Sequence, residues 1–296
     1  MTEPTVDETP TGRVGTLRLL LRNPVTLASA VVLLAVALIA IGATWLAPYG
    51  INDVDVPSAL RGPNGAHWFG TDELGRDVFS RVLVAIQSSM QVAIVSVAFA
   101  AVVGVTVGVV AGYRGGWLDT VVMRVVDVMF AFPVLLLALA IVAVLGPGVT
   151  TTMLAIGVVY TPVFARVARA STLGVRVEPF VAVSRTMGTG HGYILVRHVL
   201  PNVAGPLIVQ TSLSLAFAIL SEAALSFLGL GIQPPEPSLG RMIFDSQGFV
   251  TLAWWMAVFP GAAIFVIVLA FNCVGDGLRD VLDPKQRTLA EARRSQ

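Results

Sequence analysis

The chain has 296 residues, of which 55% are hydrophobic and 12% charged, and its formal net charge is +1. Soluble domains carry about 25% charged residues, so this balance excludes an ordinary soluble globular protein and predicts an integral membrane protein. A charge this small gives no reason to expect a nucleic-acid partner, and Cys273, the one cysteine, excludes an intrachain disulfide.

In chain order, residues 1–22 are expected to form a cytoplasmic tail, largely disordered because its first twelve positions are rich in Thr, Pro, Glu and Asp. Residues 23–283 form the predicted transmembrane domain. About 20 apolar residues at a 1.5 Å rise cross a hydrocarbon layer of roughly 30 Å. Charge-poor runs of that length place spans at 25–47, 88–112, 120–145, 149–170, 203–228 and 251–274. They are read as helices because each backbone group in lipid needs a partner within its own segment, and the alternating ten-residue runs of a barrel are absent. The first run is longer than the apolar region of a cleaved signal peptide. The fold class is therefore all-α, with six transmembrane helices.

Between the first two spans lies an outer loop, 48–84. Thr71 is its candidate N-cap, with Asp72 and Glu73 at the positive end of the helix that follows. Trp68 and Phe69 suit an interfacial anchor. The second span carries Gly104, Gly108 and Gly112, a stripe of small residues that lets another helix approach closely. In the third span Arg124 and Asp127 are three apart and are expected to pair on one helical face. Gly146-Pro147-Gly148 separates the third span from the fourth. A cytoplasmic elbow, 174–201, leads to the fifth span, whose Glu222 has no local partner and either faces a path or satisfies backbone groups. The outer connection that follows contains Gln233, Pro234, Pro235 and Pro237, and reads equally as a gate or as turn punctuation. Residues 284–296 form a second cytoplasmic tail.

Orientation follows from the 19 Lys and Arg, since positive charges near span ends stay on the cytoplasmic side. Only Arg61, Arg76, Arg81 and Arg241 fall on one set of connections; the others, from Arg13 to Arg294, fall on the opposite set and on the tails. Both termini and the elbow are thereby predicted to be cytoplasmic.

No reactive constellation accompanies this layout. Lys285 is the single lysine and belongs to no phosphate-binding loop, and neither a His-Glu-x-x-His helix nor a Gly-x-Ser-x-Gly elbow occurs. His191 and His198, with no cysteine nearby, suit a solvent-facing or partner-facing pair better than a metal site. The chain is expected to be non-catalytic and to hold no metal or cofactor.

The elbow, "VAVSRTMGTGHGYILVRHVLPN", is the one polar inner segment that keeps an apolar period. On a helix, Phe180, Val183, Ser184 and Met187 share a face, Arg185 flanks it and Gly188 ends it. A second short helix groups Tyr193, Val196 and Leu200, and Pro201 is placed at the start of the fifth span. Two turns are too short for a membrane anchor, so the segment is predicted to be an apolar knob for a partner's groove.

From "LRNPV" to "GDGLRDVLDP", about nine tenths of its length, the chain resembles the C-type permease subunit of dipeptide and oligopeptide ABC importers. The likeness rests on "HWFGTDELGRDVFSR", "AGYRGGWLD", "VDVMFAFP", "GPG", "RHVLPN", "SEAALSFLGLGIQPPEPSLG" and "AFNCVGDGLRDVLDP", in that order. It implies the ABC importer type I permease fold, with both ends inside, in a bacterial inner membrane. The implied partners are a second homologous permease, two nucleotide-binding subunits or domains that hold ATP and Mg, an extracytoplasmic solute-binding protein, and membrane lipid. It also implies that the elbow is the coupling region, with Glu178, Phe180, Val183, Ser184, Arg185, Met187, Gly188 and His198 meeting the ATPase. Asp127, Glu222, Gln233 and Pro234 become candidates for the path or gate. The family motif Glu-Ala-Ala, three residues, Gly aligns its glutamate with Ala182, so Ala182-Val183-Ser184 departs from it, and Glu178 lies one turn earlier as a substitute. Docking then rests on Phe180, Val183 and Met187, each worth about 1.5 to 3 kcal/mol if fully buried. Related permeases carry peptides, nickel complexes or glutathione, a choice assigned mainly to the binding protein. The alternative, a secondary transporter or channel independent of ATP, predicts broken spans and ion-binding charges at mid-bilayer.

Overall fold

The computed structural model describes residues 23–282, and its regular elements are helical. The two tails, with Arg13, Arg18, Arg22, Lys285, Arg287, Arg293 and Arg294, lie outside the described residues. Helices α1 (Pro24–Leu46), α2 (Val78–Arg114), α5 (Val149–Val175), α7 (His191–Phe227) and α9 (Trp255–Leu282) are long and apolar enough to cross a bilayer. Two further helices, α3 (Gly116–Phe130) and α4 (Val134–Leu145), qualify only as a pair.

That pair corrects the predicted span 120–145, because its halves are bent by 89° to one another. Pro133 has no N–H to continue the ladder and disfavours helical backbone at Phe132, while the Ala131 N–H closes α3 on the carbonyls of Asp127 and Val128. Twelve residues reach about 18 Å, short of a hydrocarbon layer of about 30 Å, so α4 needs α3 to complete a crossing.

The centre of the bundle is α2 packed on α5. Gly104, Gly108 and Gly112 face α5 so closely that a Cβ on Gly104 would lie 2.5 Å from the Thr161 carbonyl oxygen, and one on Gly112 would lie 3.0 Å from that of Arg169. At Gly108 it would overlap the Ala165 carbonyl. Ser96 Oγ donates to the Met153 carbonyl along the same seam at 2.9 Å. In contrast α1 is peripheral: Thr26, Ser29, Val36 and Ala43 form its buried stripe, and Thr26 rests on Gly277 of α9.

Residues 47–77 form an ordered outer cap. Thr71 is not the helix cap expected of it: it is fully buried, bridges to Asp77, and its hydroxyl donates to the Ser58 carbonyl at 2.5 Å and accepts from the Arg61 N–H. The N-cap is Asp77, whose carboxylate accepts from the Ser80 N–H at 2.8 Å and meets His67 Nδ1 at 3.0 Å. Helix α2 consequently begins ten residues before the expected span. Its buried Arg81 is accommodated by the Ile51 carbonyl and by Asp72. Trp255 Nε1 donates to the Thr71 carbonyl at 3.0 Å and fastens the cap to α9. Burial, and then the neighbouring Asp72 charge, raise the Glu73 carboxyl above the ordinary range, which Arg76 partly offsets. Of the two aromatics proposed as an anchor, Trp68 is exposed, whereas Phe69 stacks on Phe259 with centroids 3.9 Å apart.

The fifth span also starts earlier than expected. Its helix runs on from the second arm of the elbow through a π turn at Leu195–Val199, where the Leu200 N–H reaches back to the Leu195 carbonyl. The widened turn absorbs Pro201, which therefore lies inside α7 rather than at its start. Beyond α7 the chain folds back over the outer end. Gly231 presses on Ser226, and Gly240 in α8 (Leu239–Asp245) presses on the Ala223 backbone, contacts that no Cβ would permit.

Candidate functional site

The elbow is built on one short helix, α6 (Pro179–Thr186), with Glu178 at its N-cap and Pro179 at its first position, where no N–H is needed. Its end is a Schellman turn: Gly188 adopts φ +75°, its N–H reaches the Arg185 carbonyl, and the Thr189 N–H reaches that of Ser184. Val181 is the only fully buried residue of α6; it sits among Val109, Tyr113, Ala168, Ile194, Val199 and Val203. That anchor turns the opposite face outward, with Phe180 40%, Val183 55% and Met187 78% exposed. Ser184 donates to the Phe180 carbonyl and adds no contact of its own to that face. Tyr193, Val196 and Leu200 on α7 are exposed as well, and the His198 ring lies between Phe180 and Tyr193, at 6.1 and 5.9 Å. A single apolar and aromatic knob thus spans both arms. Ala182, at the family's glutamate position, and Glu178 are both exposed.

Arg185, assigned to the partner face, is exposed there and also contacts Tyr113. Its Nε donates to the Tyr113 hydroxyl at 3.3 Å, and its guanidinium lies 4.7 Å from the centre of that ring, so it turns back toward the end of α2. His191, read from sequence as facing solvent or a partner together with His198, is exposed and also brings Nδ1 to 3.1 Å from the same hydroxyl. Sequence reasoning passed over Tyr113, although its place in "AGYRGGWLD", at an inner helix end among arginines, was a usable signal.

The path and gate candidates fall in separate places. Asp127 does not pair with Arg124 three residues away; it meets Arg166 of α5 at 2.8 Å, and that guanidinium covers the Phe130 ring at 4.0 Å. Both side chains of this pair are about half exposed, while Asp119 and Arg169 make a second, more sheltered bridge between α3 and α5. The two pairs are eight residues apart on α3 and three on α5, so α3 crosses α5 obliquely. Glu222 is fully buried at the outer end of α7, where Ser89 of α2 donates to Oε2 at 2.6 Å and Ser226 to Oε1 at 2.7 Å. The Ser226 Oγ also accepts the Ile232 N–H, which ties the carboxyl to the outer connection. Gln233 braces that connection by donating to the carbonyls of Gly229 and Gly231, and Pro234 is exposed beside it. The expectation that Glu222 has no local partner is corrected by Ser226, four residues on and on the same helical face; Ser89, 133 residues away, had no signal in the sequence.

Comparison with known proteins bears on both regions. The family model described as binding-protein-dependent transport system inner membrane component matches residues 104–288, and the N-terminal TM domain of oligopeptide transport permease C matches residues 14–63. A dipeptide transport system permease of Alkalihalophilus pseudofirmus is 42% identical over 90% of this chain and 88% of its own. A probable D,D-dipeptide transport system permease of Escherichia coli K12 is 43% identical over 89% and 88%. A glutathione transport system permease of Pectobacterium atrosepticum is 42% identical over 92% and 90%. Among solved structures, a chain of the MetNI methionine ABC transporter in an inward-facing conformation superposes with a TM-score of 0.58 at 19% identity, covering 69% of this chain and 97% of that one. At such identity the likeness is one of fold.

Proposed function

We propose, for a chain that belongs to the family of binding-protein-dependent transport system inner membrane components, that it forms half of the translocation path of an ATP-driven importer of short peptides. The three relatives named above carry, by their descriptions, dipeptides, D,D-dipeptides and glutathione, all of them short peptides, and this supports the substrate class. The other half of the path is a second, homologous permease. ATP and Mg reside on two nucleotide-binding subunits or domains at the cytoplasmic face, and an extracytoplasmic binding protein delivers the solute. The complex lies in a bacterial inner membrane.

The observation that carries this reading is the knob. Phe180, Val183 and Met187 stand exposed on a helix whose opposite side is pinned by Val181, an arrangement suited to filling a groove on a partner. Nucleotide-driven closure of the partner would then displace the elbow, a rigid-body step in which the partner's two states supply the differential contacts. Since the face carries no glutamate at Ala182, the apolar side chains bear the docking and Glu178 supplies the nearest carboxylate. The bend between α3 and α4 would also suit a secondary transporter, but the family and its relatives favour the importer.

The test replaces Phe180 and Met187 together with Asp in the complex assembled with its ATPase subunits. Losing two buried side chains at about 1.5 kcal/mol or more each is expected to weaken ATPase association by about a hundredfold. Unchanged association and binding-protein-stimulated ATP hydrolysis would refute the assignment.

A further inference from the structure

The two arms of the elbow converge on one hydroxyl. Tyr113 is the penultimate residue of α2, its ring is buried in the cluster around Val181, Ile194 and Val199, and its oxygen reaches Arg185 on α6 and His191 at the start of α7. The donors are consistent: Arg185 Nε–H donates to the phenol oxygen, and the phenol O–H donates to His191 Nδ1 when the ring proton sits on Nε2. No carboxylate pairs with Arg185 among the described residues, and the Tyr113 ring and hydroxyl take that place. The link between the arms is otherwise soft. Gly188 and Gly190 flank Thr189 with open space around both, and the arms touch through the Val181 cluster and the Phe180–His198 ring contact.

The base to which Tyr113 ties them is rigid. One residue earlier, Gly112 is pressed on Arg169 and Thr172, and its carbonyl accepts from Arg176 Nη1 at 2.9 Å, which clamps the end of α5 to the end of α2. A displacement of the knob therefore has a short route, through Arg185 and His191 to Tyr113 and from there to the α2–α5 pair.

We infer that Tyr113 is the positioning residue that makes the elbow move with α2 as one body, so that nucleotide-driven displacement reaches the translocation path. The inference rests on the elbow being the ATPase docking site, and it adds the element that transmits the motion. It requires the hydroxyl, since the ring alone would keep the packing and the cation–π contact but release the two polar links.

The test uses the whole complex in lipid vesicles, in a Cys273→Ala background, with spin labels at Thr186→Cys, exposed on α6 and outside the docking residues, and at Val102→Cys on the exposed face of α2. In the parent, the distance between labels is expected to be narrowly distributed and the same with and without ATP, as for one rigid body. In Tyr113→Phe the distribution is expected to broaden about twofold and to shift with ATP, while ATPase association and thermal midpoint stay at parent values. Binding-protein-stimulated hydrolysis is expected to fall toward its unstimulated rate. A narrow, ATP-insensitive distribution in Tyr113→Phe would overturn the inference and leave the docking assignment standing; loss of ATPase association in Phe180→Asp tests the docking separately. If Tyr113→Phe does not assemble, Arg185→Lys decides, since it keeps the charge but loses the Nε–H bond: broadening supports the linkage, and an unchanged distribution refutes it.

Discussion

Glu222 stands where a polar group is most costly to strand, and what meets it is serine hydroxyls, from Ser89, Ser226 and Ser238, rather than a cation. Ser89 and Ser226 each place one hydrogen bond on a separate carboxyl oxygen, and Ser226 in turn holds the Ile232 N–H. The carboxyl is thus a joint between α2, α7 and the outer connection. Glu222→Gln keeps an acceptor for Ser226 and a donor for Ser89, so its cost is expected to stay below about 1 kcal/mol. Glu222→Leu leaves these hydroxyls unmet and is expected to lower stability by about 1–3 kcal/mol per group, read as the thermal midpoint of the purified chain in detergent. Equal midpoints for the two variants would show that the joint carries no weight. The residue itself was legible in the sequence as a charge in a span, and Ser226, one helical turn on, was legible as its neighbour; Ser89 was not, because pairing across 133 residues leaves no local pattern.

The elements themselves show where local reading succeeds and where it stops. The glycine stripe announced a close helix contact, and the structure supplies the helix it faces, α5, through Thr161, Ala165 and Arg169. Gly108→Val is expected to cost about 1–3 kcal/mol by overpacking against the Ala165 backbone, whereas Gly174→Val, with open space around its Cβ, is expected to be near neutral apart from helix propensity. Thermal unfolding of the two variants side by side checks this, and a Gly108→Val midpoint no lower than that of Gly174→Val would contradict it. The start of α2 was misplaced because Ser80, Arg81, Ser88 and Ser89 lower the hydropathy of a segment that the outer cap and α7 in fact shelter. The third span was read as straight because its apolar composition continues across Pro133, although the proline already held the information needed to break it. At α7 the reverse occurred. Pro201 was read as a boundary, and a π turn carried the helix through it.

For the molecule as a whole, the distribution of arginines and the elbow geometry make one common demand, that 174–201 lie on the cytoplasmic side. Cys273 is the sole cysteine, so a Cys273→Ala background allows single reporters. Met187→Cys is expected to react with a membrane-impermeant maleimide only in inside-out vesicles, and Trp68→Cys on the outer cap only in right-side-out ones; both residues are largely exposed. Labelling of both from one side would overturn the topology. The all-helical membrane class and the apolar face of the elbow were legible in the sequence, because partition into lipid is a sum over local residues and an amphipathic period is written in consecutive positions; the orientation is the sequence's expectation, drawn from the retention of positive charge, and the labelling decides it. Only the tertiary structure decided that Asp127 answers to Arg166, that Asp77 rather than Thr71 caps α2, and that Arg185 and His191 meet at Tyr113. The Asp127–Arg166 and Tyr113 pairings join residues separated by turns whose geometry is set by packing, and packing in lipid depends on which helices touch rather than on how apolar each of them is; the Asp77 cap is local, and the fold of the outer cap is what takes Thr71 away from that position.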